Sequence, residues 1–162
     1  GNFFSEKIRR LLLNKKLKLN NKTDLMLFYA SRSENFEKVI KKNYNKKIIL
    51  IDRFTDSTLA YQHYGMGISL RLIKKLNKFV IGNFKPDVTF LSLVNFKNLK
   101  RRLNKRKNLN KYDRFKIAFY SKVQIGYKKI SKNKNKYTLI DSNKNSLKEV
   151  RKIIINKLEQ II

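Results

Sequence analysis

Ile48-Ile49-Leu50-Ile51-Asp52-Arg53-Phe54-Thr55-Asp56-Ser57-Thr58-Leu59-Ala60-Tyr61-Gln62 is the stretch whose reading decides the fold. Its first four residues are apolar and mostly β-branched, the pattern of a strand buried on both faces of a parallel sheet. The sequence then changes abruptly to charged and hydroxyl side chains. Apolar residues resume at helical spacing at Leu59, Ile68, Leu72, Ile73 and Leu76. The reading is a strand, a polar turn and one helix running to about residue 79. In open α/β sheets ligands bind just beyond the carboxyl ends of the strands, and Asp52 and Arg53 occupy that end. A carboxylate there can hold a metal ion or its water shell, and an arginine can fork onto a phosphate. A structural ion pair capping the strand would use the same two residues.

Working outward, the chain alternates between the two periodicities. Continuous apolar runs over 88–94 and 137–140 predict two further strands. Upstream, Ile8, Leu11, Leu12 and Leu13 form a helical stripe with Ser5 as its cap. A second helix starts at Thr23 or Asp24, either of which can cap it, and continues through Leu25, Phe28, Phe36, Val39 and Ile40. Downstream, helices are expected over 97–107, 114–130 and 146–161. The connections are a Lys/Asn loop at 14–21, a polar turn at 43–47, a loop at 82–87 holding the only proline, Pro86, a break at 108–112 and a Lys/Asn linker before residue 137. Strands separated by helices predict a single α/β domain over 1–162, with a parallel sheet and helices on both faces.

The composition sets limits on function. There are 40 Lys and Arg against 11 Asp and Glu, a formal net charge of +29, so polyanions will be attracted. The basic residues are mostly Lys, spread along the chain among many Asn and Ile, all residues with A/T-rich codons. The charge therefore reads first as genomic composition and second as a nucleic-acid footprint, and contact with nucleic acid is expected to be non-specific only. No cysteine is present, which excludes disulfides and zinc–thiolate sites and fits a reducing, cytoplasmic setting. No apolar run has the length of a membrane span, and no signal-peptide pattern opens the sequence. The sole histidine, His63, has no acid or serine partner pattern and receives no catalytic role.

Five segments, in order, carry a specific resemblance. They are Ser5-Glu6-Lys7-Ile8-Arg9 with Leu11-Leu12-Leu13; Leu27-Phe28-Tyr29-Ala30-Ser31-Arg32; Asp52-Arg53-Phe54 with Ser57, Ala60-Tyr61-Gln62 and Gly65; Lys85-Pro86-Asp87-Val88-Thr89; and Gly126-Tyr127 with Ile140-Asp141. Together, at nearly the same spacing, they resemble the bacterial thymidylate kinases, members of the P-loop nucleoside-monophosphate kinases. The resemblance implies a three-layer P-loop NTPase-like α/β fold and transfer of a phosphoryl group from ATP to dTMP, giving dTDP in dTTP synthesis. ATP is then the co-substrate and Mg2+ the cofactor. It further implies a homodimer through helices 24–42 and 57–79.

Residue by residue, the resemblance implies that Phe28 stacks on thymine and that Arg32, four residues on and so on the same helix face, bonds a thymine oxygen. Ser57 and Thr58 lie near the thymine edge, roles compatible with capping the helix that starts there. Tyr61 packs under the sugar, where it selects the deoxy form. Arg53 holds the monophosphate, and Asp52 is the carboxylate near the magnesium. The basic run Lys100-Arg101-Arg102-Leu103-Asn104-Lys105-Arg106-Lys107 falls in a lid region at about 100–115, whose arginines Arg101, Arg102 and Arg106 close on the transferring phosphates. A solvated basic face is the plainer reading of the same run.

The sequence also departs from the family pattern. No Gly-x-x-x-x-Gly-Lys-Ser/Thr loop occurs in the 162 residues, and the family's first strand and this loop, which cradles ATP, would precede Gly1. Leu93 stands where the family commonly has Asp. The expectation is a domain without its first strand and phosphate loop, impaired as a kinase, with the runs at 48 and 88 exposing apolar edges. A non-catalytic basic nucleic-acid-binding protein and another nucleotide kinase of the same superfamily are the alternatives.

Overall fold

Residues 1–132 and 137–161 are described in the computed structural model, in which the chain divides into two units, Gly1–Phe84 with Asn108–Tyr127, and Lys85–Lys107 with Lys128–Ile162. The first opens with helix α1, Phe3–Leu13. Its cap is Asn2, whose side chain accepts the Ser5 N–H at 2.9 Å, and not Ser5 as the sequence suggests. Ser5 instead lies buried inside the first turn, its hydroxyl donating to the Ser31 carbonyl on the next helix at 2.9 Å. That helix, α2, spans Asn21–Asn35 and is capped by Asn20. Thr23 and Asp24 thus lie within the first turn and do not cap it, which frees the Asp24 carboxylate for a partner elsewhere in the fold. The helical path continues through a π-helical turn, Phe36–Ile40, into α3, Lys41–Asn43.

The strand expected at 48–51 is not formed. Ile48 and Leu50 are 69% and 84% exposed, and the sheet described has two strands, neither of them here. A strand exists through its ladder partner, and this run has none among the described residues.

The helix after the signature is also not one piece. It comprises α4, Thr55–Thr58, a π-helical segment, Leu59–Gly65, and α5, Leu70–Ile81. Gly67, at φ 77°, makes the break, a left-handed conformation that glycine adopts without penalty. The Ile68 N–H then bonds the Gln62 carbonyl at 2.9 Å, and Ser69 caps α5. The break turns α5 back onto α2, where Leu25, Tyr29 and Ile73 form the buried core with Leu59, Ile68, Leu76 and Val80 packed around them. Burying Leu25 and Ile73 stabilises the fold by roughly 1.5–3 kcal/mol each. The Tyr29 hydroxyl donates to the Ile73 carbonyl at 3.0 Å, or shares its proton with Asn77 Oδ1 at 2.9 Å. Later in this unit, Tyr112–Arg114 is a 3₁₀ turn, so the helix expected from 114 begins only at Ile117, as α7, Ile117–Ile130.

In the second unit, β1, Thr89–Leu93, pairs in parallel with β2, Tyr137–Asp141, in the register Thr89↔Tyr137 to Leu93↔Asp141. Helix α6, Phe96–Asn104, follows β1 and is capped by Asn95. Helix α8, Leu147–Glu159, starts at a capping box formed by Ser146 and Glu149, which holds the Glu149 carboxyl below its ordinary value through its bonds from Ser146. The linker expected before residue 137 lies, over 133–136, outside the described residues. Among the described residues no helix is long and apolar enough to cross a membrane.

Candidate functional site

Three elements of the first unit bring the residues singled out in the sequence together. Helix α2 presents Phe28 and Arg32 one turn apart. Helix α4 and its π-helical continuation present Ser57, Thr58 and Tyr61. The segment from 112 to 127 supplies Tyr112, Phe119 and Tyr127. The Tyr61 ring stands edge-on to all three of these, at centroid distances of 6.2, 5.8 and 6.5 Å, and Tyr112 in turn lies 6.0 Å from Phe28. The result is a packed aromatic cluster whose rings come from distant parts of the chain.

Arg32 ties α2 to α4. Its Nη2 donates to Thr58 Oγ1 at 2.6 Å and to the Phe54 carbonyl at 3.3 Å, and its guanidinium lies over the Tyr29 and Phe54 rings at 5.1 and 5.5 Å. Nη1 is shielded from solvent and meets no hydrogen-bond acceptor among the described residues. Burial lowers the pKa of this guanidinium, while Tyr29 and Asp56 act the other way; an arginine keeps its proton regardless. A shielded donor with no acceptor is costly unless something else supplies one. On α4, Ser57 Oγ and the Tyr127 hydroxyl are hydrogen-bonded at 2.9 Å. Burial pushes the Tyr127 hydroxyl pKa up, although Ser57 and Arg53 pull it down.

Asp52 and Arg53 are exposed. Arg53 has a φ of 62°, an unfavourable conformation for a residue with a Cβ and one that clusters at functional sites. Its guanidinium lies 5.3 Å above the Tyr61 ring, bringing a cation to the edge of the aromatic cluster. Asp52 is the neighbouring carboxylate. No group of three or more His, Cys, Asp or Glu that could hold a metal ion occurs among the described residues.

The three arginines of the basic run belong to the other unit. Arg101 and Arg102 lie on α6, and Arg106 follows it. Arg102 Nη2 donates to the Ser142 carbonyl at 2.9 Å, just beyond β2. Lys97, Lys100, Arg101, Asn104 and Lys105 line an open depression of about 430 Å³.

The aromatic walls were not read from the sequence as site residues. Tyr112, Phe119 and Tyr127 sit in a segment whose only cue was Gly126-Tyr127, noted as a late helix. Spacing offers one more, since Tyr112, Phe115 and Phe119 repeat at three and four residues, as one helix face does. Glycine explains how the segment comes so close. A Cβ at Gly126 would lie 2.6 Å from the Tyr64 ring, and one at Gly65 would lie 2.5 Å from the Phe119 ring.

Comparison with known proteins shows the family to which the chain belongs. A family model described as thymidylate kinase matches residues 1–154. The chain is similar to thymidylate kinases of Thermosipho africanus, 35% identical over 98% of this chain and 81% of the relative, and Ehrlichia ruminantium, 37% identical over 98% and 78%. Among solved structures it is similar to thymidylate kinase from Ehrlichia chaffeensis, with a TM-score of 0.74 and 31% identity, covering 100% of this chain and 77% of that one.

Proposed function

The chain belongs to the thymidylate kinase family, and on that premise we propose that the aromatic cluster forms a chamber for the base and sugar of dTMP while ATP donates the phosphoryl group. An oxygen of the dTMP phosphate attacks the γ-phosphorus of ATP. The bond from that phosphorus to the bridging β–γ oxygen breaks, leaving dTDP and ADP. Such transfers depend on in-line positioning and on stabilising charge.

The observation that carries the assignment is Arg32. Two contacts hold its guanidinium in place, and the shielded Nη1 that remains is suited to a carbonyl oxygen of a pyrimidine lying against Phe28. Ser57 and Thr58 border the base, Tyr61 packs against the sugar, and Arg53 takes the monophosphate at the mouth. Asp52 suits Mg2+ in the manner this ion prefers, with one or two carboxylates alongside water and substrate phosphate. Bound there, Mg2+ would supply neutralisation of phosphate charge. The lid is proposed over residues 100–115, with Arg101 and Arg106 reaching the phosphates of ATP and Arg102 joining them when it gives up its bond to Ser142. One functional domain over 1–162 remains the proposal.

A homodimer through helices 24–42 and 57–79 is supported by apolar side chains left in the open there, Met26 at 55%, Leu72 at 44% and Phe79 at 87% exposure. Sedimentation velocity should give twice the chain mass, and a monomer at tens of micromolar would refute it. The cytoplasm is the proposed setting, in keeping with a cysteine-free chain. Nucleic acid is proposed to bind only through general charge; a sequence-selective complex that survives physiological salt would argue otherwise.

A coupled assay with ATP and dTMP, dCMP or dGMP as acceptor tests the central assignment. Turnover should favour dTMP. Equal turnover of all three, or preference for a purine, would overturn the placement of the base.

A further inference from the structure

Asp24 is 1% exposed, and the chemistry above makes no use of it. It stands on α2 one turn before Phe28. Both its oxygens accept from Lys111 Nζ at 2.8 Å, and Oδ2 also accepts the Tyr112 hydroxyl at 3.1 Å. The lysine side chain is itself only 16% exposed. The segment that meets this carboxylate is fastened at each residue. The Lys111 N–H bonds the Leu13 carbonyl at 3.4 Å, the Tyr112 N–H bonds Asn110 Oδ1 at 2.8 Å, and the Tyr112 carbonyl accepts the Tyr120 hydroxyl at 2.6 Å. The Tyr112 ring is the one that touches both Phe28 and Tyr61.

We infer that Asp24 is a positioning residue for the acceptor site, its carboxylate holding the Tyr112 ring as the wall that joins the base-stacking Phe28 to the sugar-packing Tyr61. The inference rests on the assignment of the chamber to dTMP. Stability alone is a weak reason for such an arrangement, because apolar groups of similar volume often stabilise a buried site as well as an ion pair does. What the carboxylate adds is orientation, through three short bonds from two neighbouring residues. Burial, reinforced by Asp24, raises the Tyr112 pKa far above its usual value, so the hydroxyl stays a neutral donor.

Two variants test this by titration calorimetry with dTMP and, separately, with ATP. Tyr112→Phe keeps the ring and the ion pair and removes only the bond to Asp24. It should weaken dTMP binding about three- to tenfold, the scale of one lost hydrogen bond, with ATP affinity within twofold of the unaltered chain. Asp24→Asn should weaken dTMP more, and the double variant should be no worse than Asp24→Asn alone, the non-additivity expected of groups acting as a unit. If Asp24→Asn does not fold, Tyr112→Phe decides alone. Unchanged dTMP affinity in Tyr112→Phe, or equal losses for dTMP and ATP, overturns the inference. An unaltered chain that fails to bind dTMP overturns instead the assignment on which it rests.

Discussion

Replacing Arg32 probes the base site most directly, because its two roles can be separated. In stability, Arg32→Ala removes the donors to Thr58 Oγ1 and the Phe54 carbonyl, each worth about 0.5–1.5 kcal/mol, more where the donor is charged. It also removes two cation–π contacts, worth about 0.5–1 kcal/mol over the half-buried Phe54 ring and about 2 kcal/mol over the buried Tyr29 ring. The sum is a loss of about 3–5 kcal/mol, allowing for the non-additivity of contacts made by one group. In binding, it removes the shielded Nη1, a charged donor worth about 1.5–3 kcal/mol to a ligand carbonyl, or roughly ten- to 150-fold in affinity. Thr58→Val separates the two effects. It removes the hydroxyl acceptor at constant shape and leaves Nη1 untouched, so stability should fall by about 1–3 kcal/mol while dTMP affinity falls by less than in Arg32→Ala. Urea unfolding measures the first quantity and calorimetric titration the second. A folded Arg32→Ala chain that binds dTMP as well as the unaltered one refutes the assignment. Equal affinity losses in both variants would mean that Arg32 acts only by holding α4 in place.

Further outcomes follow from other parts of the structure. Burial raises the pKa of Tyr29, Tyr112 and Tyr127, so their contribution to stability is full below pH 10 and is lost above it, as the unfolded chain ionises first, by up to about 1.4 kcal/mol per pH unit for each; tyrosinate absorbance at 295 nm showing all eight tyrosines ionised near pH 10 before the fold is lost would contradict this. Gly126→Ala and Gly65→Ala each place a Cβ under 3 Å from an aromatic ring and should destabilise by about 1–3 kcal/mol in urea melts, whereas unchanged midpoints would show that the rings give way freely. At the strained Arg53, Arg53→Gly should be more stable than Arg53→Ala by about 1 kcal/mol, both losing at least about tenfold in dTMP affinity; equal stability of the two in urea melts would refute the strain.

Much of the local structure was legible because it rests on local signals. The apolar runs at 88–94 and 137–140 became β1 and β2 within a residue or so at each end, and the capping box places the start of α8 where its periodicity begins. The Phe28/Arg32 pair was visible as a spacing of four. The failures share one physical cause, dependence on a distant partner. The run at 48–51 has strand composition, yet pairing is a tertiary property. The caps expected at Ser5 and at Thr23 or Asp24 gave way to Asn2 and Asn20, because the Ser5 hydroxyl is engaged by the Ser31 carbonyl and the Asp24 carboxylate by Lys111. A lone glycine inside a helical pattern is a weak stop signal, so the break at Gly67 passed unseen. The Tyr112 and Tyr127 rings carry only weak local cues, the Gly126-Tyr127 pair and the spacing of Tyr112, Phe115 and Phe119, and neither says which distant rings they meet.

The π-helical segment Leu59–Gly65 links these observations to the site. A π turn carries an extra residue relative to an α turn, and such turns are frequent at functional positions. Here the segment follows directly on Ser57 and Thr58, whose hydroxyls are engaged by Tyr127 and Arg32. Its wider turn directs Tyr61 toward Tyr112, Phe119 and Tyr127 and not toward the Leu25–Tyr29–Ile73 core, while Ala60 and Gln62 on either side are the buried residues. The segment ends at Gly65, where the absence of a Cβ admits the Phe119 ring. Any larger residue at 65 would have to push Phe119 away, and Phe119 is one of the three rings against which Tyr61 rests. The width of the chamber is therefore set by a backbone position that no nucleotide need touch, which makes Gly65 a sensitive place to alter acceptor binding without removing a single hydrogen bond from it.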